Sequence, residues 1–393
     1  MKKMKTKLLV TVMAGALGSL FSGSALADIN VGLSLATTGP AAALGIPQRN
    51  TIPLLPTEIE GQKVNYIVLD DATDSTAASR NARKLVDENN VDIIIGSSAT
   101  PTSAAIAEIA NESKTPQITL GPVELQGDKN YWVFRAPQHY DVMAAGLINH
   151  MKANGVKTLG FIGYTDAYGE SWVTAMKKAT EAAGIEFKTI ERFNRTDTSV
   201  TAQALKLASA KPDAILVAAS GTPSVLPQVT LQERGYKGQI YQTHGTATKE
   251  FIRVGGKAVE GTVLPVGPIM VANQLPDDHP SKPIALDYIK KYEAKYGEGS
   301  LSPFGAHLYD AVLLMQSAVP AALKAGQPGT DEFRKGLRDA LEASKEVAVT
   351  HGVFNMTPEN HFGLSDERSR TLIAVEKGDW KRLDENSAYK YKP

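Results

Sequence analysis

The chain has 393 residues, with 42 basic and 42 acidic side chains and no cysteine. Such a balance argues against a broad basic surface for nucleic acid or anionic lipid, and the lack of cysteine excludes disulfides, thiol nucleophiles and thiolate metal ligands. The length exceeds what a single hydrophobic core usually holds, so we expect two domains.

Residues 1–27 carry the three parts of a secretory signal peptide. Four lysines lie among the first seven residues, an apolar run extends from Leu8 to about Phe21, and Ala25-Leu26-Ala27 supplies small residues at the cleavage site. The alternative, a transmembrane anchor, needs about 20 apolar residues, and this run is shorter. We therefore expect export and cleavage after Ala27, which would remove four of the 42 basic residues and leave a mildly acidic mature chain.

From Asp28 onward, short apolar runs typical of strands alternate with helical segments, and the alternation occurs twice. In the first unit the predicted strands are 29–35, 64–69, 92–95 and 117–120, and the predicted helices are 75–88 and 101–111. In the second unit the predicted strands are 158–164, 186–193, 214–218 and 239–242, and the predicted helices are 142–153, 171–183, 200–210 and 224–233. Strands that are apolar throughout and separated by helices indicate parallel sheets covered on both faces.

The residues after about 268 do not form a third unit of this type. They contain predicted helices at 284–296, 304–323 and 330–342, and late strands at 352–354 and 370–375. We expect them to cover the two lobes, with the chain crossing between lobes near 136–137, 265–268 and 354. The predicted fold is α/β, with two doubly wound parallel-sheet lobes joined by a three-crossover hinge that can bend. The N-terminal lobe comprises 28–136 plus about 268–354, the C-terminal lobe 137–267 plus about 355–380, and 381–393 form a tail.

Two strands are followed by a Thr-Pro pair that predicts a helix start. One strand runs into Gly96-Ser97-Ser98-Ala99-Thr100-Pro101, and another runs into Ala219-Ser220-Gly221-Thr222-Pro223. In each case Thr occupies the N-cap position and Pro the first helical position. Ligands bind at the carboxyl ends of parallel strands, where helix N-termini favour anions. The two helix N-termini, one from each lobe, could therefore bind a carboxylate from both sides. The alternative is that both are ordinary helix caps.

The remaining loops after strands offer recognition groups and no catalytic motif. They contain Gly121-Pro122, Tyr168 and Thr243-His244-Gly245, while Asp74 is expected to cap the helix that starts at Ser75. Zincin, nucleophile-elbow, Walker and dinucleotide-binding motifs do not occur, and the seven histidines show no paired ligand spacing. We therefore expect a binding protein with no catalytic residue, metal or cofactor. A hydrolase site assembled from distant segments is the remaining enzymatic alternative.

Several motifs, in this order and spacing, resemble one known family. They are Thr37-Thr38-Gly39-Pro40, Asp70-Asp71, Ile95-Gly96-Ser97-Ser98, Tyr168-Gly169-Glu170 and Leu231-Gln232-Glu233-Arg234-Gly235-Tyr236. Together with the signal peptide they are similar to the Leu/Ile/Val-binding family of ABC-transporter substrate-binding proteins, which has the periplasmic-binding-protein type I fold. The resemblance implies a periplasmic, non-enzymatic protein that closes on a small molecule and docks onto an inner-membrane permease with its ATPase.

The resemblance also implies a ligand site. In the family, two loops of the first lobe hold the ligand carboxylate; here they are Ser98, Ala99 and Thr100 in one loop, and Gly121 and Pro122 in the other. An aromatic residue of the second lobe covers the ligand, and Tyr168 matches it. The helix starts add Gly221 and Thr222 to the predicted ligand-binding residues.

Two departures from the family pattern bear on the ligand. Where amino-acid-binding members have an acidic partner for the ligand ammonium, this chain has His244, and an ammonium buried without a counter-charge costs several kcal/mol. The segment from Gly45 to Ile59 contains three prolines, which should shorten the helix found there in the family. We expect an aromatic or related organic acid, such as a benzoate or cinnamate relative, ahead of a branched-chain amino acid or amide. A ligand-sensing subunit is the alternative function, and we expect a monomer.

Overall fold

Two twisted sheets, each flanked by helices, organise residues 27–389 and 391, which are the residues that the computed structural model describes. The predicted signal peptide, apart from Ala27, lies outside the described residues. In the described part of the chain, no helix is both long and apolar enough to cross a bilayer.

The helices and strands follow the alternation predicted from the sequence. The helices are α1 Ala42–Thr51, α2 Ser75–Asp87, α3 Thr100–Ser113, α4 Tyr140–Ala153, α5 Ala167–Ala183, α6 Thr201–Ala210, α7 Val225–Glu233, α8 Lys249–Gly255, α9 Ser281–Tyr296, α10 Pro303–Ala325 and α11 Asp331–Glu342. The strands are β1 Ile29–Leu35, β2 Glu58–Ile59, β3 Gln62–Asp70, β4 Ile93–Gly96, β5 Gln117–Thr119, β6 Val133–Arg135, β7 Thr158–Tyr164, β8 Glu186–Phe193, β9 Ala214–Ala218, β10 Gln239–Gln242, β11 Val263–Val266, β12 Val347–Val349, β13 Gly352–Phe354, β14 Thr371–Glu376 and β15 Asp379–Leu383.

The first sheet has the order β2-β3-β1-β4-β5-β6. Strand β1 pairs in parallel with β3 and β4, so that Leu33 lies opposite Val68 and Ile95. Because both faces of the sheet are covered, β4 and nearly all of β1 are buried. The late helix α10 supplies Leu308 and Met315 to the core of this sheet, so part of the C-terminal remainder covers the first lobe.

The second sheet has the order β15-β14-β11-β10-β9-β7-β8. Strand β14 pairs antiparallel with β11, and β15 pairs antiparallel with β14. The predicted tail from residue 381 begins instead as the end of β15, where Trp380 lies opposite Val375. Trp380 is the one buried residue of this strand and its neighbours are charged, so the sequence pattern indicated a strand only weakly. Past β15, Glu385 forms an ion pair with Arg370 at 2.8 Å.

Three connections join the lobes, and the predicted fold class of two α/β lobes is confirmed. The first lies between β6 and α4, and the second passes through Gly267, between β11 and a 3-10 helix that begins at Pro268. The third lies later than the expected position near Phe354, since Met356 and Leu364 still pack in the core of the first sheet. We therefore propose that the third crossing lies at 365–370, before β14.

Helix α1 is short, as the prolines in this segment predict. It ends at Thr51 with Pro47 inside it and continues as a 3-10 turn, Ile52–Leu54. Proline removes a backbone donor and crowds the preceding turn, so a longer regular helix is disfavoured here. The short helix leaves Leu44 at the rim between the two lobes.

Candidate functional site

A small cavity lies between the carboxyl ends of strands from both sheets. Loops of the first sheet line it with Ser98, Ala99, Thr100, Leu120 and Pro122. Loops of the second sheet line it with Tyr168, Arg195, Ser220, His244 and Gly245. The remaining wall consists of Leu44, Pro137, Phe304 and His307. Its free volume is about 20 Å³, room for about one water molecule and far below the volume of a small-molecule pocket, so the structure shows the lobes closed on each other.

Six of the nine predicted ligand-binding residues line this cavity, and three do not. The six are Ser98, Ala99, Thr100, Pro122, Tyr168 and His244. Gly121 lies behind the wall, where a Cβ atom would come within 2.7 Å of the Ala99 carbonyl carbon and 2.8 Å of the Thr100 nitrogen. Glycine is therefore needed for the loop after β5 to approach the start of α3. The role of all nine residues in binding stays a prediction.

The prediction that Thr100 caps α3 is wrong. Ala99 is the N-cap residue, with extended backbone angles, and Thr100 is the first helical residue. The Thr100 hydroxyl donates to the carbonyl oxygen of Pro122 at 3.1 Å, so it joins two loops of the cavity wall. Since the alanine side chain cannot accept a hydrogen bond, the first amides of α3 have no side-chain cap and can serve a ligand.

The second Thr-Pro pair also differs from its predicted role. Gly221, with φ of +60°, precedes a 3-10 turn from Thr222 to Ser224, and α7 begins only at Val225. Thr222 is exposed and is not among the residues that line the cavity. The positive φ of Gly221 redirects the chain, and Ser220 takes the place in the cavity that the sequence assigned to Gly221 and Thr222.

Gly221 instead marks a contact between the lobes. A Cβ atom at this position would lie 3.2 Å from Cδ1 of Leu44 and 3.4 Å from Cβ of Ala43, both in α1 of the other lobe. The two lobes therefore touch at the rim of the cavity, which explains its small volume.

Tyr168 lies at the start of α5 and is nearly fully buried. Asp166 caps this helix by accepting from the backbone nitrogen of Tyr168 at 2.9 Å, which fixes the aromatic ring toward the cavity. The Tyr168 hydroxyl is hydrogen bonded to Thr243 at 2.8 Å. Burial raises the pKa of Tyr168 to about 12, so the side chain is neutral at pH 7.

Arg195 is a cavity residue that the sequence analysis missed. Its guanidinium lies 4.0 Å from the centre of the Tyr164 ring, its Nε donates to Asp166 at 2.6 Å, and its Nη1 donates to Ser220 at 2.9 Å. The sequence could have indicated it, because Asn194-Arg195 directly follows the carboxyl end of strand 186–193, where ligands bind in parallel sheets.

His244 lies in the cavity, as its position after β10 predicted. Its ring centre is 5.8 Å from that of Trp172 and 6.2 Å from that of Tyr168. Burial, and secondarily the nearby His351, lowers the pKa of His244 to about 4. The side chain is therefore a neutral imidazole at pH 7 and supplies no negative charge.

Two further histidines lie beside His244, and no local sequence pattern indicated them. His307, at the start of α10, stacks on His351 with ring centres 3.7 Å apart and planes 10° apart. His351 in turn places Nδ1 2.8 Å from the carboxylate of Asp310. Burial is the main cause that lowers the pKa of His307 well below its usual value, followed by His351 and His244.

The metal-ligating side chains of the described residues do not cluster as a metal ion would require. No group of three metal-ligating side chains with suitable geometry occurs among them. Asp74 caps α2, as expected, by accepting from the backbone nitrogen of Ala77 at 2.7 Å.

The geometry of two lobes around a cavity matches known proteins. The profile of a family described as periplasmic binding protein matches residues 28–367. The chain is 25% identical over 364 residues to Leu/Ile/Val-binding protein homolog 3 of Brucella melitensis, covering 89% of this chain and 92% of the relative. It is also 25% identical over 388 residues to the Leu/Ile/Val-binding protein BraC3 of Rhizobium johnstonii, covering 94% and 100%.

Solved structures agree with the sequence relatives. An extracellular ligand-binding receptor from Rhodopseudomonas palustris is 47% identical, with a TM-score of 0.90, and the match covers 91% of this chain and 100% of that one. A leucine binding protein from Thermotoga maritima is 22% identical, with a TM-score of 0.78 and coverage of 91% and 98%; this likeness concerns the fold alone. The resemblance drawn from the sequence motifs is confirmed.

Proposed function

This chain belongs to the periplasmic binding protein family, and from that premise we propose that it is the periplasmic solute-binding component of an ABC importer. Its ligand is a small carboxylate, with an aromatic or related organic acid favoured over a branched-chain amino acid or amide. The lobes close on the ligand, and the closed protein delivers it to a permease and its ATPase in the inner membrane.

One observation carries the choice of ligand class. Among the described residues, the cavity wall contains no Asp or Glu, and His244 stands where a counter-charge for an ammonium is expected. A zwitterionic amino acid would bury its ammonium without a partner, at a cost of several kcal/mol. An organic acid without an amine avoids that cost.

The wall of the cavity suits such an acid. The uncapped amides at the start of α3 and the loop at Pro122 form one end, where a carboxylate would be stabilised by the helix dipole. The rings of Tyr168 and Phe304 and the side chain of Leu44 provide apolar surface for a ring or short chain.

The contributions of both lobes support a closing mechanism. The first lobe provides the carboxylate end and Leu44, whereas the second provides Tyr168, Arg195 and His244. A ligand that touches both walls stabilises the closed arrangement by its differential affinity for it. The three connections between the lobes permit a bending motion.

A thermal-shift and calorimetry screen tests this proposal. The mature chain from Asp28, refolded to remove bound ligand, is titrated with benzoate, cinnamate and leucine. A ligand at a hundredfold excess over its dissociation constant adds about 2.7 kcal/mol of stability. A shift with the aromatic acids and none with leucine supports the proposal. A shift with leucine alone would contradict the favoured ligand class, and a substrate that is turned over would point to the enzymatic alternative.

A further inference from the structure

The titratable side chains of the cavity wall leave it without free positive charge. Among the described residues these side chains are Tyr168, Arg195, His244 and His307. Arg195 is paired with Asp166 at 2.6 Å, and Tyr168 is neutral. A carboxylate that enters this buried cavity would therefore meet the helix dipole of α3 but no free cationic side chain, and a buried charge without such a partner is costly in a medium of low dielectric constant.

The two histidines are placed to compensate that charge. His244 comes from the second lobe and His307 from α10 on the first, and they are only 7% and 4% exposed. In the described part of the chain, Nδ1 of each ring is buried without a hydrogen-bond partner. Buried polar atoms normally have partners, so two unpartnered ring nitrogens on one cavity wall indicate groups that await a ligand.

We propose that His244 and His307 form a proton-accepting anion subsite. As a carboxylate enters the cavity, one of the two imidazoles takes up a proton from solvent, and the resulting imidazolium donates a hydrogen bond to the carboxylate. This inference rests on the proposed function, because it requires a carboxylate ligand, and it adds that the anion and one proton bind together.

The groups around the pair favour uptake of one proton rather than two. His351, stacked on His307, opposes a proton on that ring, and the carboxylate of Asp310 behind His351 partly offsets this effect. The paired guanidinium of Arg195 opposes protonation weakly, and neutral Tyr168 adds no charge. A proton on one imidazole disfavours a proton on the other, because the two rings lie on the same small cavity.

His351 extends this cluster to the hinge. A Cβ atom on Gly267, in the second connection between the lobes, would lie 2.2 Å from Cδ2 of His351 and 2.7 Å from Nε2 of Gln138, in the first connection. The row from Asp310 through His351 to His307 thus reaches from the hinge to the ligand cavity.

Proton uptake also gives the site a basis for specificity. An imidazolium attracts a carboxylate and repels an ammonium, so the loaded subsite disfavours zwitterionic amino acids. This selectivity would strengthen as the pH falls from 8 to 6, where ordinary carboxylic acids remain ionised.

Calorimetry of the wild-type mature protein provides the test, with cinnamate as the probe. Titrations at pH 7 in buffers with different ionisation enthalpies measure the protons taken up per ligand. We expect uptake approaching one proton and a gain in affinity of up to about tenfold for each pH unit between 8 and 6. His307→Gln and His244→Gln should each weaken cinnamate binding, and the double variant should abolish the proton uptake and flatten this pH profile.

His150→Gln is the matched control. His150 is also a buried, neutral histidine, but its Nδ1 is hydrogen bonded to Tyr241 at 2.9 Å, outside the cavity wall. Its substitution should leave the uptake and the pH profile unchanged. Tight binding of cinnamate by the wild type without proton uptake overturns the inference and leaves the proposed function intact. Proton uptake that persists in the double variant also overturns it, and failure of cinnamate and benzoate to bind overturns both proposals.

Discussion

The hydroxyl of Thr100 donates to the carbonyl oxygen of Pro122 at 3.1 Å, which ties the start of α3 to the loop after β5. Tyr140 donates to the same oxygen at 2.8 Å, from the first helix of the other lobe. One carbonyl thus connects the start of α3, at the cavity wall, to both lobes. The position of the α3 amides depends on this shared acceptor.

Thr100→Val should therefore weaken both stability and binding. The variant keeps the shape of the side chain and loses the hydrogen bond, so we expect a loss of about 1 kcal/mol in the free energy of unfolding. Cinnamate affinity should fall about fivefold or more, as the two loops separate. Thr222→Val is the matched control, since Thr222 belongs to the other Thr-Pro pair and lies outside the cavity. Equal effects of both substitutions on affinity would contradict a role for Thr100 in the site.

The sequence predicted most of the scaffold because its strands are strongly patterned. The predicted and observed bounds agree for β7 and β9, whose residues are almost all apolar or aromatic and buried. Strand β15 was missed since, of its residues, Trp380 alone lies fully inside while Lys381 and Arg382 face solvent. Propensity indicates a strand weakly when a single hairpin partner holds it in place.

The candidate site was harder to predict, and the reasons differ between residues. For Thr100 the sequence identified the right segment but placed the cap one residue late, because Ala99 has the extended backbone that an N-cap requires. His307 and His351 could not be connected with His244, since they lie in segments far apart along the chain. Only the packing of α10 and the β12–β13 turn against the second lobe brings these rings together.

His244→Glu should change the ligand class. A carboxylate at this position can pair with the ammonium of an amino acid, and it repels the carboxylate of an organic acid. We expect measurable binding of leucine and a loss of at least about tenfold in cinnamate affinity, detected by calorimetry. His244→Gln removes the imidazole without adding charge, and should weaken cinnamate without creating leucine binding. If the Glu variant retains the wild-type preference, the ammonium partner belongs elsewhere in the cavity.

The buried histidines predict acid sensitivity of the empty protein. Burial lowers the pKa of both His150 and His244 to about 4, against about 6.5 in an unfolded chain. The unfolded state therefore binds more protons below pH 6.5, so the stabilisation present above that pH is lost as the pH falls toward 4. Each histidine should contribute a loss of up to about 1.4 kcal/mol per pH unit in this window.

Chemical denaturation at several pH values between 7 and 5.5 measures this loss. His150→Gln should be less stable than the wild type at pH 7, because it loses the bond to Tyr241, but its stability should decline less steeply with falling pH. Parallel pH profiles for the variant and the wild type would mean that His150 is already protonated, or that it titrates equally in both states.

Gly221→Ala should hinder closure of the lobes. Two effects combine at this position: φ of +60° is unfavourable for alanine, and the added Cβ atom would lie 3.2 Å from Cδ1 of Leu44 in the other lobe. Gly184→Ala provides the control, because its φ of +67° imposes the same backbone cost while nothing lies within 4 Å of its Cβ position. Both variants should lose about 1 kcal/mol of stability.

Binding should separate the two glycine variants. Gly184→Ala, at the end of α5, should retain wild-type affinity for cinnamate, whereas Gly221→Ala should bind several-fold more weakly. Small-angle scattering should show a smaller ligand-induced decrease in the radius of gyration for Gly221→Ala. The reason is that the added Cβ atom contacts Leu44 of the other lobe before the lobes are fully closed. Identical affinity and compaction in both variants would indicate that the rim contact yields easily and that closure is limited by contacts deeper in the cavity.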